Sequence, residues 1–351
     1  TISDNPDLGG TKEGREPNIY SQLLPGITVD YRLPKGQLYG SIYEGMIAPS
    51  KVFGFLVEQD GIVTNPFVGE SINIKPELSW NREIGWRGNL INNKLNGQIT
   101  YFNNTSRNFY AGGRNEVFEE LGKINVQGLE VSFNTELFKN DSHSLSFYGN
   151  LTILHSKVLE GKLLDKDLFS QVVHSSATRT EFIDKVNANR GAYELYVSDG
   201  TGGEMLLTEA NITTDDFENI TKSVVTLGEG GTNKTEAPYT PSINLNSGFN
   251  YNWENLSGGI SGQYVGEQYT EFNNFENESA DGAIGRLPAY FTMDAFLNYD
   301  IGMRNGTQLK VFINGKNLTN DIYRASRLNR ATSGVFPGGF SQIIIGANIT
   351  I

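Results

Sequence analysis

The 351-residue chain contains no cysteine. Disulfides, thiolate metal sites and cysteine nucleophiles are therefore excluded together. Such a composition suits export in an unfolded state, although cytosolic proteins also lack the residue. Histidine is almost as scarce. The three, His143, His155 and His174, lie far apart and form no catalytic or metal-ligating motif. No Gly-rich phosphate loop follows a strand and opens a helix. No run of about 18 apolar residues occurs, so no transmembrane helix is expected. Lys plus Arg number 28 against 40 for Asp plus Glu, and the net charge of -12 lacks the basic footprint of a nucleic-acid binder.

Aliphatic residues are also sparse: hydrophobic residues make up 38% and mean hydropathy is -0.36. Glycine and aromatics take their place, with 40 Gly, 20 Phe and 16 Tyr. The order of these residues is regular. In "NIKPELSWNREIGWRGNL", Leu78, Trp80, Ile84 and Trp86 alternate with Glu77, Ser79, Asn81 and Glu83. A strand sends successive side chains to opposite faces, so this segment has one apolar and one polar face. The same alternation runs through Ile27–Leu33, Leu38–Tyr43, Leu95–Tyr101, Leu129–Leu137 and Leu145–Ile153. It returns at Ile243–Asn250, Leu256–Tyr264, Phe291–Tyr299, Leu309–Asn314 and Ile343–Ile351. About eleven amphipathic strands result, and no helical periodicity is convincing.

Short and long connections alternate. Turns such as "LPKG", "FKNDSH" and "YNWEN" separate longer loops at Ala48–Lys75, Arg107–Asn125, Val158–Asn233, Phe272–Gly285 and Ala325–Gly334. A meander of this kind gathers its short turns at one end and its long loops at the other. Transmembrane β-barrels do so, with short periplasmic turns and long extracellular loops. A soluble sandwich or adhesin also alternates, but its loops need not sort by length. Asn, Ser, Thr, Gln and Glu on one face suit a wet lumen; Trp, Tyr, Phe, Leu and Ile on the other suit a lipid-facing band. Trp80 and Trp86 are roughly 20 Å apart along the strand. Arg82, between them on the apolar face, must either snorkel or sit beside a bulge.

Several segments resemble TonB-dependent outer-membrane receptors. "NIKPELSWNREIGWRG", "YGSIYEGMIAPS" and "NVQGLEVSFNTEL" resemble strands of that barrel, and "LKVFINGKNLTNDIY" resembles its penultimate strand. "YRASRLNRATSGVFPGGFSQIIIGANITI" resembles the closing loop and strand, nearest to ferric-dicitrate-type receptors. The resemblance implies an all-β, antiparallel up-and-down transmembrane β-barrel in the bacterial outer membrane. Residues 1–351 correspond to its C-terminal part, about eleven or twelve of about 22 strands. The plug, the N-terminal strands and the TonB-binding segment have no counterpart, so the wall is expected to be open. Ile351 replaces the usual terminal aromatic, and Ser341 stands where Arg is common.

The function implied is uptake of a ferric chelate, a ferric dicitrate or a siderophore, with no enzyme activity and no cofactor. The partners are that chelate, TonB with ExbB and ExbD through the missing plug, and outer-membrane lipid and lipopolysaccharide. A passive porin or glycan-uptake barrel is the alternative. Arg324, Arg327 and Arg330 recur every third residue in the last extracellular loop. Their guanidinium forks suit carboxylates of an anionic chelate. The competing and commoner reading is contact with lipopolysaccharide phosphates or pairing with lumen carboxylates. Phe53, Phe55 and Phe67 are candidates to clamp an aromatic siderophore, and the Val158–Asn233 loop to close over a ligand.

Overall fold

The computed structural model describes residues 21–47, 57–59, 62–65, 70–72, 76–91, 94–109, 116–165, 168–169, 173–302, 308–327 and 334–350. In chain order the strands begin with β1 (Gly26–Leu33) and β2 (Gly36–Ile47), then a small separate sheet of β3 (Val57–Gln59), β4 (Ile62–Asn65) and β5 (Glu70–Ile72). Next come β6 (Glu77–Leu90), β7 (Leu95–Phe109), β8 (Glu116–Lys139) and β9 (His143–Asp165). Helix α1 (Ser176–Ala188), β10 (Tyr193–Ser198), β11 (Glu204–Leu206), helix α2 (Thr214–Asn219) and β12 (Ile220–Gly228) follow. The chain continues through β13 (Ile243–Trp253), β14 (Leu256–Val265), β15 (Tyr290–Gly302) and β16 (Gln308–Lys316). A two-stranded hairpin of β17 (Arg324–Arg327) and β18 (Val335–Pro337) precedes β19 (Gln342–Thr350).

One antiparallel meander carries the architecture, in the order β1-β2-β6-β7-β8-β9-β13-β14-β15-β16-β19. These are the strands that the alternation predicts. Among the described residues β1 and β19 are each paired on one side only. The cross-strand register sorts the two faces cleanly. One rung reads Tyr31, Leu38, Trp86, Ile99, Val131, Leu151, Leu245, Tyr264 and Phe291. The next rung, on the opposite face, reads Arg32, Gln37, Arg87, Gln98, Ser132, Asn150, Asn246, Gln263 and Thr292. Directly opposite side chains share a face, so apolar and polar surfaces each run unbroken from β1 to β15. The apolar face is solvent-exposed: Ile343, Ile345 and Ile349 lie at its β19 end and Ile27, Val29 and Tyr31 at its β1 end. Among the described residues these side chains are left exposed, as a lipid-facing surface requires. No described helix is long and apolar enough to cross a membrane, which says nothing of a β-barrel.

Trp86 has a second use besides facing lipid. A Cβ on Gly88 would lie 2.9 Å from its Cζ2 atom, and one on Gly36 2.9 Å from its indole nitrogen. Phe133 covers Gly149 in the same way, at 2.6 Å. Large rings thus fill the space over glycines of their own strand (Gly88) and of neighbouring strands (Gly36 and Gly149), which explains why the chain combines many glycines with many aromatics. Arg82 keeps its place between Ile42 and Asn103 with no register shift in either ladder, so a bulge is not its explanation.

Two expectations need correction. The connection Val158–Asn233 is not a simple loop, and the chain is not free of helices. β9 runs on to Asp165, and α1, β10, β11, α2 and β12 fold beyond it. The helices escape the sequence pattern because α1 buries only Thr178, Phe182 and Val186, too few for an apolar stripe. Its start is set instead by Ser175, whose hydroxyl accepts the Thr178 N–H at 3.2 Å. Much of the expected Arg107–Asn125 loop is likewise strand, in β7 and β8.

A cap over the polar face as the candidate functional site

The long connections meet at one end of the wall and form a cap with a dry core. Leu163, Val173, Phe182, Val186, Leu195 and Phe275 are almost wholly buried in it. Phe182 sits edge-to-face against Phe169 and Phe217 at 5.2 and 5.6 Å. The core is seated on the polar side of the wall. Ile124, Val126 and Val158 share a face with Glu130 and Ser132, and they pack into it. Backbone bonds stitch the seam, from Val158 N–H to the Thr235 carbonyl at 2.9 Å and from Leu154 N–H to the Ser242 carbonyl at 2.8 Å.

β9 belongs to both bodies. Its lower part, His143–Ile153, pairs with β13, and its upper part, Glu160–Asp165, pairs with β12. Arg190 closes the turn after α1 by donating to the carbonyls of Tyr193, Leu207 and Glu209 at 2.6, 2.6 and 2.8 Å.

A second connection, residues 266–289, locks onto the first. The Glu181 carboxylate on α1 accepts the N–H groups of Glu276 and Asn277 at 2.7 and 2.8 Å. Lys185 donates to the Asn274 carbonyl at 3.0 Å. The third, bearing the arginines, completes the lock. Arg327 is buried, donating to the carbonyls of Gly285 at 2.7 Å and Gly282 at 2.6 Å and to the Glu278 carboxylate at 3.3 Å. Arg324 meets the same carboxylate at 2.6 Å but keeps its side chain 41% exposed. The structure therefore brings Arg324 and Arg327 together on Glu278. Arg330, Phe53, Phe55 and Phe67 lie outside the described residues.

Two carboxylates are buried where the three segments join. Asp165, at the end of β9, accepts from Asn273 at 2.7 Å and Ser223 at 3.3 Å, and its other oxygen has no partner. Burial pushes its carboxyl up to about 7, against the bonds from Asn273 and Ser223, and the neighbouring Glu271 adds to the rise. Glu271 is itself raised by burial, although Thr270 and the N–H groups of Phe275 and Gly285 bond to it. Sequence reasoning gave neither residue a role.

Beside this junction a cleft of about 470 Å³ opens between α1, the β12 turn and residues 273–274. Lys185, Lys234, Asn189, Asn273, Asn274 and Thr232 line it. Tyr193 and Leu227 add apolar lining, and the Lys185 ammonium lies 3.5 Å from the Glu181 carboxylate, so Lys234 is the ammonium of the recess that pairs with no carboxylate among the described residues. The dense Asn and Glu of "EFNNFENES" was the one sequence signal pointing here.

A polar-faced wall with lipid-facing aromatics, short turns at one end and a folded cap at the other is the setting for the decisive comparison. A model of the β-barrel of TonB dependent receptor-like proteins matches residues 2–318. The chain belongs to the TonB-dependent receptor β-barrel family. Solved structures of similar fold include the ferric citrate transporter FecA, with a TM-score of 0.56 at 16% identity over 93% of this chain and 38% of that one. The siderophore receptor PiuA from Acinetobacter baumannii gives 0.52 at 16% identity, over 93% and 35% of the two chains. The copper transporter OprC gives 0.53 at 12% identity, over 92% and 38%. The chain thus spans well under half the length of each of these structures. No curated protein matches it in sequence. At these identities the likeness concerns the fold, and this TonB-dependent receptor wall shares it with proteins named for different cargoes.

Proposed function

We propose that this wall and cap form the C-terminal part of an outer-membrane TonB-dependent receptor that imports an anionic ferric chelate, of the ferric dicitrate or siderophore type. The observation that carries the reading is the cleft of Lys185 and Lys234 in a cap seated over the polar face. Ammonium groups and amide donors suit the carboxylates of a chelate, and Arg324, though paired with Glu278, keeps an exposed side on the third connection. In this reading Arg327 acts by holding the loops, while the wall lines the path and makes no bond. Further strands complete the wall at β1 and β19, because unpaired backbone is costly in lipid. A plug gates the lumen and couples it to TonB, ExbB and ExbD. A passive porin or glycan-uptake barrel fits less well, since the cap folds over the lumenal side.

The test is uptake of radiolabelled ferric dicitrate by cells carrying the complete receptor. Expected are saturable uptake that needs TonB and a roughly tenfold weaker apparent affinity for Lys185→Gln with Lys234→Gln. Uptake indifferent to TonB, or uptake of neutral sugars instead, would replace this reading with the alternative.

A further inference from the structure

The buried carboxyl of Asp165 and the cationic cleft share one side chain. Asn273 lines the cleft, and its amide nitrogen donates to Asp165 at 2.7 Å. Asn274, next to it in the lining, is fixed from several sides. Its side-chain oxygen accepts the Glu236 N–H at 2.6 Å, and its nitrogen donates to the carbonyls of Glu236 and Glu271 at 3.0 Å each. Its own carbonyl accepts from Lys185 at 3.0 Å. This side of the cleft is therefore held in place, and Asp165 stands one amide behind it.

The surroundings of Asp165 suit an uncharged group better than a carboxylate. The residue is wholly buried, and one of its oxygens has no partner. The other accepts from Asn273 and from Ser223 on β12. The charged group set against it is Glu271, on the same connection as Asn273, and Glu116 stands opposite it in the β8 ladder. Among the described residues no ammonium or guanidinium pairs with it. Glu271 is better provided. It accepts the N–H groups of Phe275 at 2.8 Å and Gly285 at 3.4 Å and the Thr270 hydroxyl, and the charge of Arg327 favours its ionised form. Of the two carboxyls, Asp165 is thus the one left to carry a proton, since an unsatisfied buried charge costs far more than an unsatisfied neutral group.

We propose that Asp165 is a proton-linked positioning residue for the cleft: an anion seated against Asn273 is favoured when Asp165 is uncharged, so anion binding takes up a proton there. The inference rests on the reading of this cleft as an anion site. Its physical basis is repulsion between a bound anion and an ionised Asp165 across a single amide, in a site with little water to screen it. Linkage makes the effect reciprocal: whatever factor the anion adds to proton affinity, the proton adds to anion affinity. The rise of the Asp165 carboxyl to about 7 sets the change near neutral pH. Affinity is then highest in mild acid and falls as pH rises.

The test reads the reactivity of Lys234, which lines the cleft and is exposed. The complete receptor in mild detergent is acetylated with and without anion at each pH, and modified Lys234 is counted by mass spectrometry. Protection as a function of anion concentration gives an apparent affinity. Sulfate is the probe for the inference, because it does not titrate in this range; ferric dicitrate is the probe for the import reading. Wild type is expected to hold sulfate severalfold more tightly at about pH 6 than at about pH 8.5. Asp165→Asn, nearly isosteric, is expected to hold it tightly at both. Ser223→Ala removes a bond that favours the ionised carboxyl, so it should move the midpoint of the wild-type slope to higher pH. No slope in wild type, no protection by sulfate, or an unchanged slope in a folded Asp165→Asn overturns the proposal. If that variant does not fold, an unmoved midpoint in Ser223→Ala overturns it. A sulfate slope without protection by ferric dicitrate would sink the import reading and leave the proton linkage standing. Protection by ferric dicitrate with no sulfate slope would do the reverse.

Discussion

The wall and the cap use the same side chains in opposite senses. In the wall, Ile260, Leu297 and Ile345 point outward and are 42%, 46% and 76% exposed. In the cap, Leu163, Leu195 and Phe275 are fully buried. The difference is the solvent each body expects. The wall has polar groups inside and depends on lipid to cover its aliphatics. The cap stands in water and must bury its own. One chain therefore holds two independent hydrophobic arrangements, joined along β9, and they should fail separately.

The sharpest way to break the comparison is a cavity in the cap. Phe182→Ala removes a ring packed against Phe169 and Phe217. A loss of about 3–5 kcal/mol is expected, read as rapid proteolysis within residues 158–235 while the wall keeps its heat-modifiable fold. Loss of both bodies together would show that they are one cooperative unit. Next in size is the wall itself. Ile260→Lys puts a charge on the lipid face and should cost about 2–4 kcal/mol at mid-depth. Ser261→Lys, one residue on and facing the lumen, should cost almost nothing, as urea unfolding in vesicles would show.

The smallest effect separates the two bodies by pH. The Asp165 carboxyl rises from 3.8 to about 7 in the folded cap. Between those values the folded cap holds a proton that the unfolded chain has released. Its contribution is therefore complete below about pH 4, declines as pH rises and is gone once pH has passed through about 7. The raised Glu271 acts in the same direction. Hydrogen exchange, corrected for intrinsic rates, should show the β12 segment less protected at pH 8 than at pH 5, with the wall strands unchanged. Asp165→Asn should flatten that dependence; an unchanged slope would assign it elsewhere.

How legible each body was in the sequence follows from the same contrast. The wall strands could be read because a two-residue period is local and recurs along every strand. Trp86, Ile84 and Ile99 announced their face by position alone. The cap could not be read that way. Phe182 and Val186 stand on α1 without a stripe around them, and Phe275 is isolated among Asn and Glu. Their burial depends on partners beyond any local period: Phe169 and Phe217 for Phe182, and Lys185 on α1 for Phe275. The arginine spacing alone does not separate the two residues. β17 shifts register between Arg324 and Ser326, which undoes simple alternation, and both side chains reach Glu278, Arg327 buried and Arg324 with an exposed side. Asp165 looked like any polar residue after an apolar run, since nothing local marks a carboxylate that will lose its water.

The seam at Val158 and Thr235, closed by a 2.9 Å bond, has a consequence for how such proteins diversify. The chain leaves the barrel and rejoins it at almost the same point. Closing an insert costs only slowly more as the insert lengthens, and the ladder below is indifferent to what is spliced above. The segment between those two residues is thus an insert above the ladder that His143–Ile153 makes with β13. Exchanging it would leave those pairings in place and break its contacts with residues 274–277, made through Glu181 and Lys185.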